Sequence, residues 1–175
     1  MALLYKAKYY LPSKVSSYTI LCAYLSISYL LQWASTYVTN LQRIYLLQKR
    51  AVRAISKADY KASSKPLFAN LKILDVFSIY SLQVSSFINL YHHHAFPSIA
   101  FTQIFQTGNQ IHQYSTRYSH FYRPHTCRTN IKKFSILFQG PRIWNSLPSN
   151  IKNAPTFNIF KRVIKPFLRV RQNAT

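Results

Sequence analysis

The sequence predicts a mainly α-helical small domain with a short β hairpin or ribbon near its carboxyl-terminal third. Of its 175 residues, 49% are apolar and only 14% are charged, so the chain is too apolar for a disordered basic tail and is expected to fold. Only 2 glycines are present, which leaves few positions for positive-φ turns and argues against an all-β sandwich. Long runs without Gly or Pro carry apolar residues at helical spacing.

The chain length suits one domain, in which we expect two parts. Residues 1–105 are predicted to form a helical bundle. Residues 106–175 are predicted to add a Tyr/Arg-rich segment, short strands within 114–140 and a terminal helix that packs on the bundle. The predicted helices lie near 13–34, 40–58, 74–92 and 156–165.

The first predicted helix lies in a segment without charged residues, from Val15 to Gln42. This segment is long enough to cross a bilayer and is flanked by Lys14 and Arg43. Its apolar residues are interspersed with serines and threonines, which are costly in hydrocarbon unless they are hydrogen-bonded. A buried helix of a soluble bundle tolerates these hydroxyls, because they can bond to backbone carbonyls one turn earlier. We therefore expect a core helix, with a membrane span through 15–34 as the alternative.

The second predicted helix reads LQRIYLLQKRAVRAISK and contains no Gly or Pro. At about 100° per residue, five basic side chains fall within a sector of roughly 120°. These are Arg43, Lys49, Arg50, Arg53 and Lys57. The opposite side is predicted to be a buried apolar stripe of Leu41, Ile44, Leu47, Ala51, Val52 and Ile55. Few acids are available to pair with the basic side chains, so we expect phosphate contacts, with a solvated basic face as the alternative.

The third predicted helix, from Leu74 to about Tyr91, is apolar on more than one side and is expected at the centre of the core. Histidines occupy positions 92–94 at its end, and three more histidines and Cys127 lie downstream. Their spacing matches no structural zinc pattern with closely paired ligands. We expect neither a metal nor a cofactor.

A Tyr/Arg-rich segment follows. In it, three arginines alternate with aromatic residues: Arg117, Arg123 and Arg128 with Tyr114, Tyr118, Phe121 and Tyr122. Such a mixture can hold a phosphate backbone while its rings stack on unpaired bases. The alternative is a loop whose tyrosines cover the core. Lys132 and Lys133 continue the basic character and complete the predicted nucleic-acid-binding set.

A short strand is expected directly after this segment. Phe134, Ile136 and Phe138 alternate along the chain, and Gly140 with Pro141 is predicted to end the run in a turn.

The charge balance restricts the function further. Lys and Arg number 23 against 2 acids, Asp59 and Asp75, for a formal net charge of +21. Reactions that need two converging carboxylates, such as glycoside hydrolysis or two-metal phosphoryl transfer, have almost no candidate residues, and we expect no enzymatic activity. A folded chain of this charge repels itself and favours a polyanionic partner, either nucleic acid or an anionic membrane.

The most specific string is FQGPRIWNSLPSNIKNAPTFNIFKRVIKPFL, from Phe138 to Leu168. Its Gly-Pro pair, Trp-Asn-Ser-Leu-Pro, Ile-Lys pair and Phe-Lys-rich end resemble the carboxyl-terminal, post-palm region of reverse transcriptases from jockey-like non-LTR retrotransposons. Three upstream blocks look similar to the same family in its order: LQRIYLLQKRAVRAISKADY, SKPLFANLKIL and GNQIHQYSTRYSHFYRPHTCRTNIKKFSILFQGP. The resemblance spans roughly Tyr9 to Leu168.

The resemblance implies a truncated, non-catalytic fragment. The family's polymerase acids lie upstream in a Tyr-x-Asp-Asp motif, which this sequence lacks, as it lacks the endonuclease. Residues 1–105 would correspond to the thumb or post-thumb region beside the primer–template duplex, with the rest of a parent enzyme as a further partner. Pro166 departs from the family's uninterrupted final helix and is expected to kink or end it. A single-span membrane protein and a non-functional relic are the alternatives to nucleic-acid binding.

Overall fold

A computed structural model of the chain describes residues 38–93, 104–112, 114 and 116–174. Within these residues the chain forms eight helices and no β-strand, so the prediction of a mainly α-helical fold is confirmed. The helices are α1 (Val38–Ile55), α2 (Ser64–Asn70), α3 (Val76–His92), α4 (Gly108–Ile111), α5 (Asn130–Lys133), α6 (Ile136–Asn145), α7 (Ser149–Lys152) and α8 (Phe157–Ala174).

The described residues divide into two compact units. The first contains residues 38–80 and 167–174, and the second lies between 81 and 166. The predicted boundary at 105 falls inside the second unit. The predicted helix at 13–34, with its alternative as a membrane span through 15–34, lies outside the described residues. No helix in the described part of the chain is both long and apolar enough to span a membrane.

In the first unit, the side chain of Gln48 joins α1 to the start of α3. Its Nε2 donates to the carbonyl of Leu74 at 2.9 Å, and its Oε1 accepts from the backbone N–H of Val76 at 3.0 Å. Asp75 caps α3, because its carboxylate accepts from the N–H of Ser78 at 2.7 Å. The sequence therefore places polar groups where the first turn of α3 would otherwise leave buried donors unpaired.

Lysines in left-handed conformation end both α1 and α2. Lys57 has φ 51° and Lys72 has φ 55°. After α1, the N–H of Ala58 donates to the carbonyl of Arg53 at 3.0 Å; after α2, the N–H of Ile73 donates to Phe68 at 3.1 Å. These are Schellman endings in which lysine stands where glycine is usual. The predicted helix 40–58 is confirmed, but it ends at Ile55.

The central helix α3 confirms the prediction for 74–92. Its buried side chains occur on more than one side and are Val76, Ile79, Leu82, Val84 and Ile88. The helix is therefore an interior element, as its apolar pattern predicted.

The predicted β hairpin within 114–140 is wrong for the described residues. Residues 136–145 form α6 instead, with Gly140 and Pro141 buried inside the helix. Proline removes the N–H that would bond to the carbonyl of Leu137, and the backbone N–H of His125 supplies a donor to that oxygen at 3.4 Å. Burial of Pro141 and Trp144 at helical spacing outweighs the strand-like alternation.

Pro166 was expected to kink or end the terminal helix; α8 runs past it to Ala174, so the expected end is wrong. Phe160, Ile164 and Leu168 are buried at four-residue intervals on both sides of the proline. Their burial requires a continuous helix through an exposed Pro166. The predicted helix near 156–165 therefore begins where expected, at Phe157, and continues beyond its predicted end to Ala174.

Candidate nucleic-acid interface

Two of the predicted basic residues of α1 form an exposed pair on one side of the helix. Arg43 and Arg50 are both exposed and lie seven residues apart, two helical turns or about 10 Å along the axis. Because both side chains are exposed, each can reach an external anion.

The other three predicted residues of this group are placed differently. Lys49 is half-buried, and its Nζ lies 4.2 Å from the centroid of the Tyr45 ring. Arg53 is half-buried, and its Nε donates to the carbonyl of Ala62 at 2.8 Å. Lys57 lies beyond the end of α1 and no longer shares its register. The predicted five-residue face is therefore reduced to Arg43 and Arg50.

The apolar stripe of α1 is also rotated from its predicted position. Leu41 and Val52 are buried, but Ile44 is 38% exposed and Leu47 is 45% exposed. Tyr45 and Gln48 occupy the buried side instead, since Tyr45 packs on Phe68 with the ring centroids 6.3 Å apart. The prediction placed the buried face wrongly because it considered aliphatic residues alone, whereas Tyr45 and Gln48 also contact the rest of the first unit.

In the second unit, backbone hydrogen bonds hold the Tyr/Arg-rich segment against residues 106–109. The N–H of Asn109 donates to Ser119 at 2.8 Å, and the N–H of Arg123 donates to Gln106 at 2.9 Å. A single antiparallel bridge pairs Thr107 with Tyr122. These bonds fix the segment in place without forming a strand.

Gly108 is required where these two stretches approach each other. A Cβ atom at this position would lie 2.9 Å from the backbone oxygen of Ser119 and 3.0 Å from its Cα. Backbone atoms cannot move aside as a side-chain tip can, so only glycine fits at this crossing.

The segment forms an open cavity of about 230 Å³. Five residues that the sequence had singled out line it: Tyr114, Tyr118, Phe121, Tyr122 and Arg123. Gly108, His112 and Thr116 complete the lining and were not predicted. Their participation depends on the long-range pairing with residues 106–109, which no local pattern reveals.

The polar groups of the cavity are oriented by one another. Arg123 Nη1 lies 2.7 Å from His112 Nε2; because a guanidinium only donates, His112 accepts and carries its proton on Nδ1. The Tyr122 hydroxyl lies 2.8 Å from His92 Nδ1. Burial, with a smaller contribution from Tyr91, raises the pKa of Tyr122 to about 12.

Lys152 supports the cavity from α7. Its Nζ lies 5.0 Å from the centroid of the Phe121 ring and donates to the carbonyl of Asn145 at 3.2 Å. Burial lowers the pKa of Lys152. The amide of Asn145 in turn donates to the carbonyl of Tyr122 at 2.8 Å. Through these bonds the helical part of the unit fixes two walls of the cavity.

The remaining predicted residues are exposed and lie outside the cavity lining: Arg117, Arg128, Lys132 and Lys133. Lys133 on α5 donates to the side-chain oxygen of Asn130 at 3.3 Å. Among the described residues, Arg123 is the only predicted basic residue that lines the cavity.

A basic face on α8 was missed by the sequence analysis. Lys161, Arg162 and Lys165 are exposed on the side opposite the buried Phe160 and Ile164. The helical spacing that identified the basic residues of α1 was available here as well. All three residues lie within the predicted helix near 156–165, so this basic face had a signal in the sequence.

The two acidic side chains do little to neutralise these cations. Asp75 is buried and accepts from the start of α3, and Asp59 accepts from the N–H of Tyr60 at 2.7 Å. Among the described residues, no group of three or more His, Cys, Asp or Glu side chains is arranged to hold a metal ion.

Comparisons with protein-family models, with curated proteins and with solved structures found no match.

Proposed function

We propose that this chain is a non-catalytic fragment of a non-LTR retrotransposon reverse transcriptase that binds nucleic-acid backbone without sequence preference. The observation that carries the proposal is the excess of exposed cations over acids. Of 23 Lys and Arg residues, 20 lie in the described part of the chain, where 16 of them are exposed, and the whole sequence has 2 acids.

The electrostatic argument does not depend on the resemblance. Both Asp side chains are already hydrogen-bonded within the first unit, and one of them is buried. The exposed cations therefore repel one another, and a polyanion relieves that repulsion. Double-stranded nucleic acid offers one phosphate charge per about 1.7 Å of its axis, so Arg43 and Arg50 can reach separate phosphates.

The absence of sequence preference follows from the type of contact. Lys and Arg bound to phosphate oxygens fix position on a duplex but carry no sequence information. Exposed basic residues occur on α1, α5 and α8.

Binding is tested by fluorescence anisotropy with a labelled DNA duplex and an RNA–DNA hybrid, each in two unrelated sequences, over a series of salt concentrations. We expect similar affinity for both sequences and a linear fall of log affinity with log salt, with a slope of about −0.9 for each phosphate neutralised. Failure to bind either duplex at low salt, or binding that is independent of salt, would contradict the proposal.

The non-catalytic part is tested separately by primer extension with Mg²⁺ or Mn²⁺. Two-metal catalysis needs converging carboxylates, whereas Asp75 is occupied as a helix cap. We expect no template-dependent incorporation above that of a mock preparation, and incorporation above that level would overturn this part.

A further inference from the structure

We propose that the cavity of the second unit binds one unpaired nucleobase of a single strand, with the base on Tyr118 and the adjoining phosphate at Arg123. This inference rests on the proposed function and assigns the cavity a ligand of its own. It is distinct from backbone contact, because it requires a base that has left its stack.

The size and lining of the cavity fit one planar ring system. Its volume of about 230 Å³ is below the ~300–1,000 Å³ of sites that enclose drug-sized ligands. Four of its eight lining residues are Tyr or Phe, and every nucleobase has a π face that can stack on such rings. A ring of one base can enter, whereas a paired duplex cannot.

Tyr118 is the side chain best placed to stack on the base. It lines the cavity and is 62% exposed, so one part of its ring remains open to a ligand. The Phe121 ring packs beside it with centroids 5.2 Å apart, and the N–H of Phe121 donates to the carbonyl of Tyr118 at 3.0 Å. The ring is thereby oriented before any ligand arrives, which lowers the entropy lost on binding.

Arg123 supplies the positive charge at the same cavity. Its guanidinium has five N–H donors, of which the bond to His112 uses one. Its backbone is fixed by the bond to Gln106 at 2.9 Å. A phosphate can therefore accept from the other side of the guanidinium while the stacked base occupies the cavity.

No acidic residue lines the cavity, so its field favours an anionic ligand. A neutral aromatic metabolite could stack on the rings but would not neutralise the charge of Arg123. An acidic peptide could bind Arg123 but would not stack on the rings. A nucleotide within a single strand satisfies both.

The test compares two single strands of equal length and equal phosphate number: a short oligothymidylate and a strand of the same sugar–phosphate backbone without bases. The full-length protein is used, with Tyr118→Ala, Tyr118→Phe and the matched control Tyr60→Ala. Tyr60 is also an exposed tyrosine, but it lies in the first unit. Circular dichroism confirms that each variant keeps its helices.

We expect the wild type to bind the base-containing strand about 5- to 100-fold more tightly than the abasic strand. Tyr118→Ala should lose most of this ratio, whereas Tyr118→Phe and Tyr60→Ala should keep it. Equal binding of the two strands by the wild type, or an unchanged ratio in Tyr118→Ala, would overturn the cavity assignment while leaving backbone binding intact. Failure to bind either single strand would also overturn the cavity assignment, whereas backbone binding is tested separately by the duplex titrations.

Discussion

Helix α1 and the Tyr/Arg-rich segment are both basic and aromatic in sequence, yet they use these residues in opposite ways. In α1 the aromatic Tyr45 packs on Phe68 in the first unit, while Arg43 and Arg50 are exposed. In the second unit the aromatic residues surround a cavity, and Arg123 is held at its wall by His112.

The difference shows what positions a charged side chain in each case. In α1, the helical repeat alone places Arg43 and Arg50 on the same side. The cavity needs backbone bonds between residues far apart in sequence, such as that between Asn109 and Ser119. Binding by α1 should therefore tolerate damage to packing better than binding by the cavity.

The largest expected change in stability comes from a core residue of the second unit. Phe160 is fully buried, and its ring lies 6.0 Å from that of Trp144. Phe160→Ala should lower the free energy of unfolding by about 3–5 kcal/mol, because it removes buried apolar surface and leaves a residual cavity. Urea denaturation followed by tryptophan fluorescence measures it. The control is Val163→Ala on the exposed side of α8, expected to cost under ~1 kcal/mol. Equal losses in the two variants would show that Phe160 is not a core residue.

A smaller effect is expected at the glycine beside the cavity. Gly108→Ala forces a Cβ to within 2.9 Å of the backbone oxygen of Ser119 and should cost about 1–3 kcal/mol. Gly140→Ala is the comparison variant. Its Cβ would lie 2.9 Å from Cδ1 of the buried Ile88 and 3.4 Å from the Phe105 ring, which are side-chain atoms and not backbone, and alanine favours the helix. Thermal unfolding compares the two. A Gly108 variant as stable as the Gly140 variant would contradict the close approach that shapes the cavity.

The sequence predicted some of these helices correctly and others wrongly. Periodicity predicted α1 and α3, since local spacing determines which residues share a helix face. The expectation of a terminal helix came from the family resemblance. Periodicity misplaced the buried face of α1 because Tyr45 and Gln48 replace aliphatic residues there. The alternation of apolar residues predicted a strand where α6 forms. The helix tolerates Pro141, because the backbone N–H of His125 donates to the carbonyl of Leu137, which Pro141 leaves without its helical donor.

The candidate sites show the same limit. The composition of the Tyr/Arg-rich segment pointed to base stacking, and five of its residues do line one cavity. The contribution of His112 depends on long-range pairing and has no sequence signal. The basic face of α8 had a sequence signal, because Lys161, Arg162 and Lys165 all lie within the predicted helix near 156–165.

A pH-dependent effect sharpens the description of the cavity wall. The pKa of Tyr122 is raised to about 12 by burial, above the value near 10 of an unfolded tyrosine. The stabilisation from neutral Tyr122 is therefore complete below pH 10 and is lost as pH rises through about 12. The urea midpoint of the wild type should fall over this window, and that of Tyr122→Phe should fall less. Parallel pH profiles would show that Tyr122 ionises as freely as an exposed tyrosine.

The salt dependence of duplex binding tests most directly the central claim, that the exposed Arg43 and Arg50 of α1 bind phosphate. Two double variants remove the same charge from the first unit: Arg43→Gln with Arg50→Gln on α1, and Lys65→Gln with Lys72→Gln, both exposed but outside α1. The arginine variant should flatten the slope of log affinity against log salt by about 1.8, or 0.9 for each phosphate that is no longer neutralised. The lysine variant should change it far less. An unchanged slope in the arginine variant would contradict a phosphate-binding role for α1, and equal flattening by both variants would contradict a role particular to this helix.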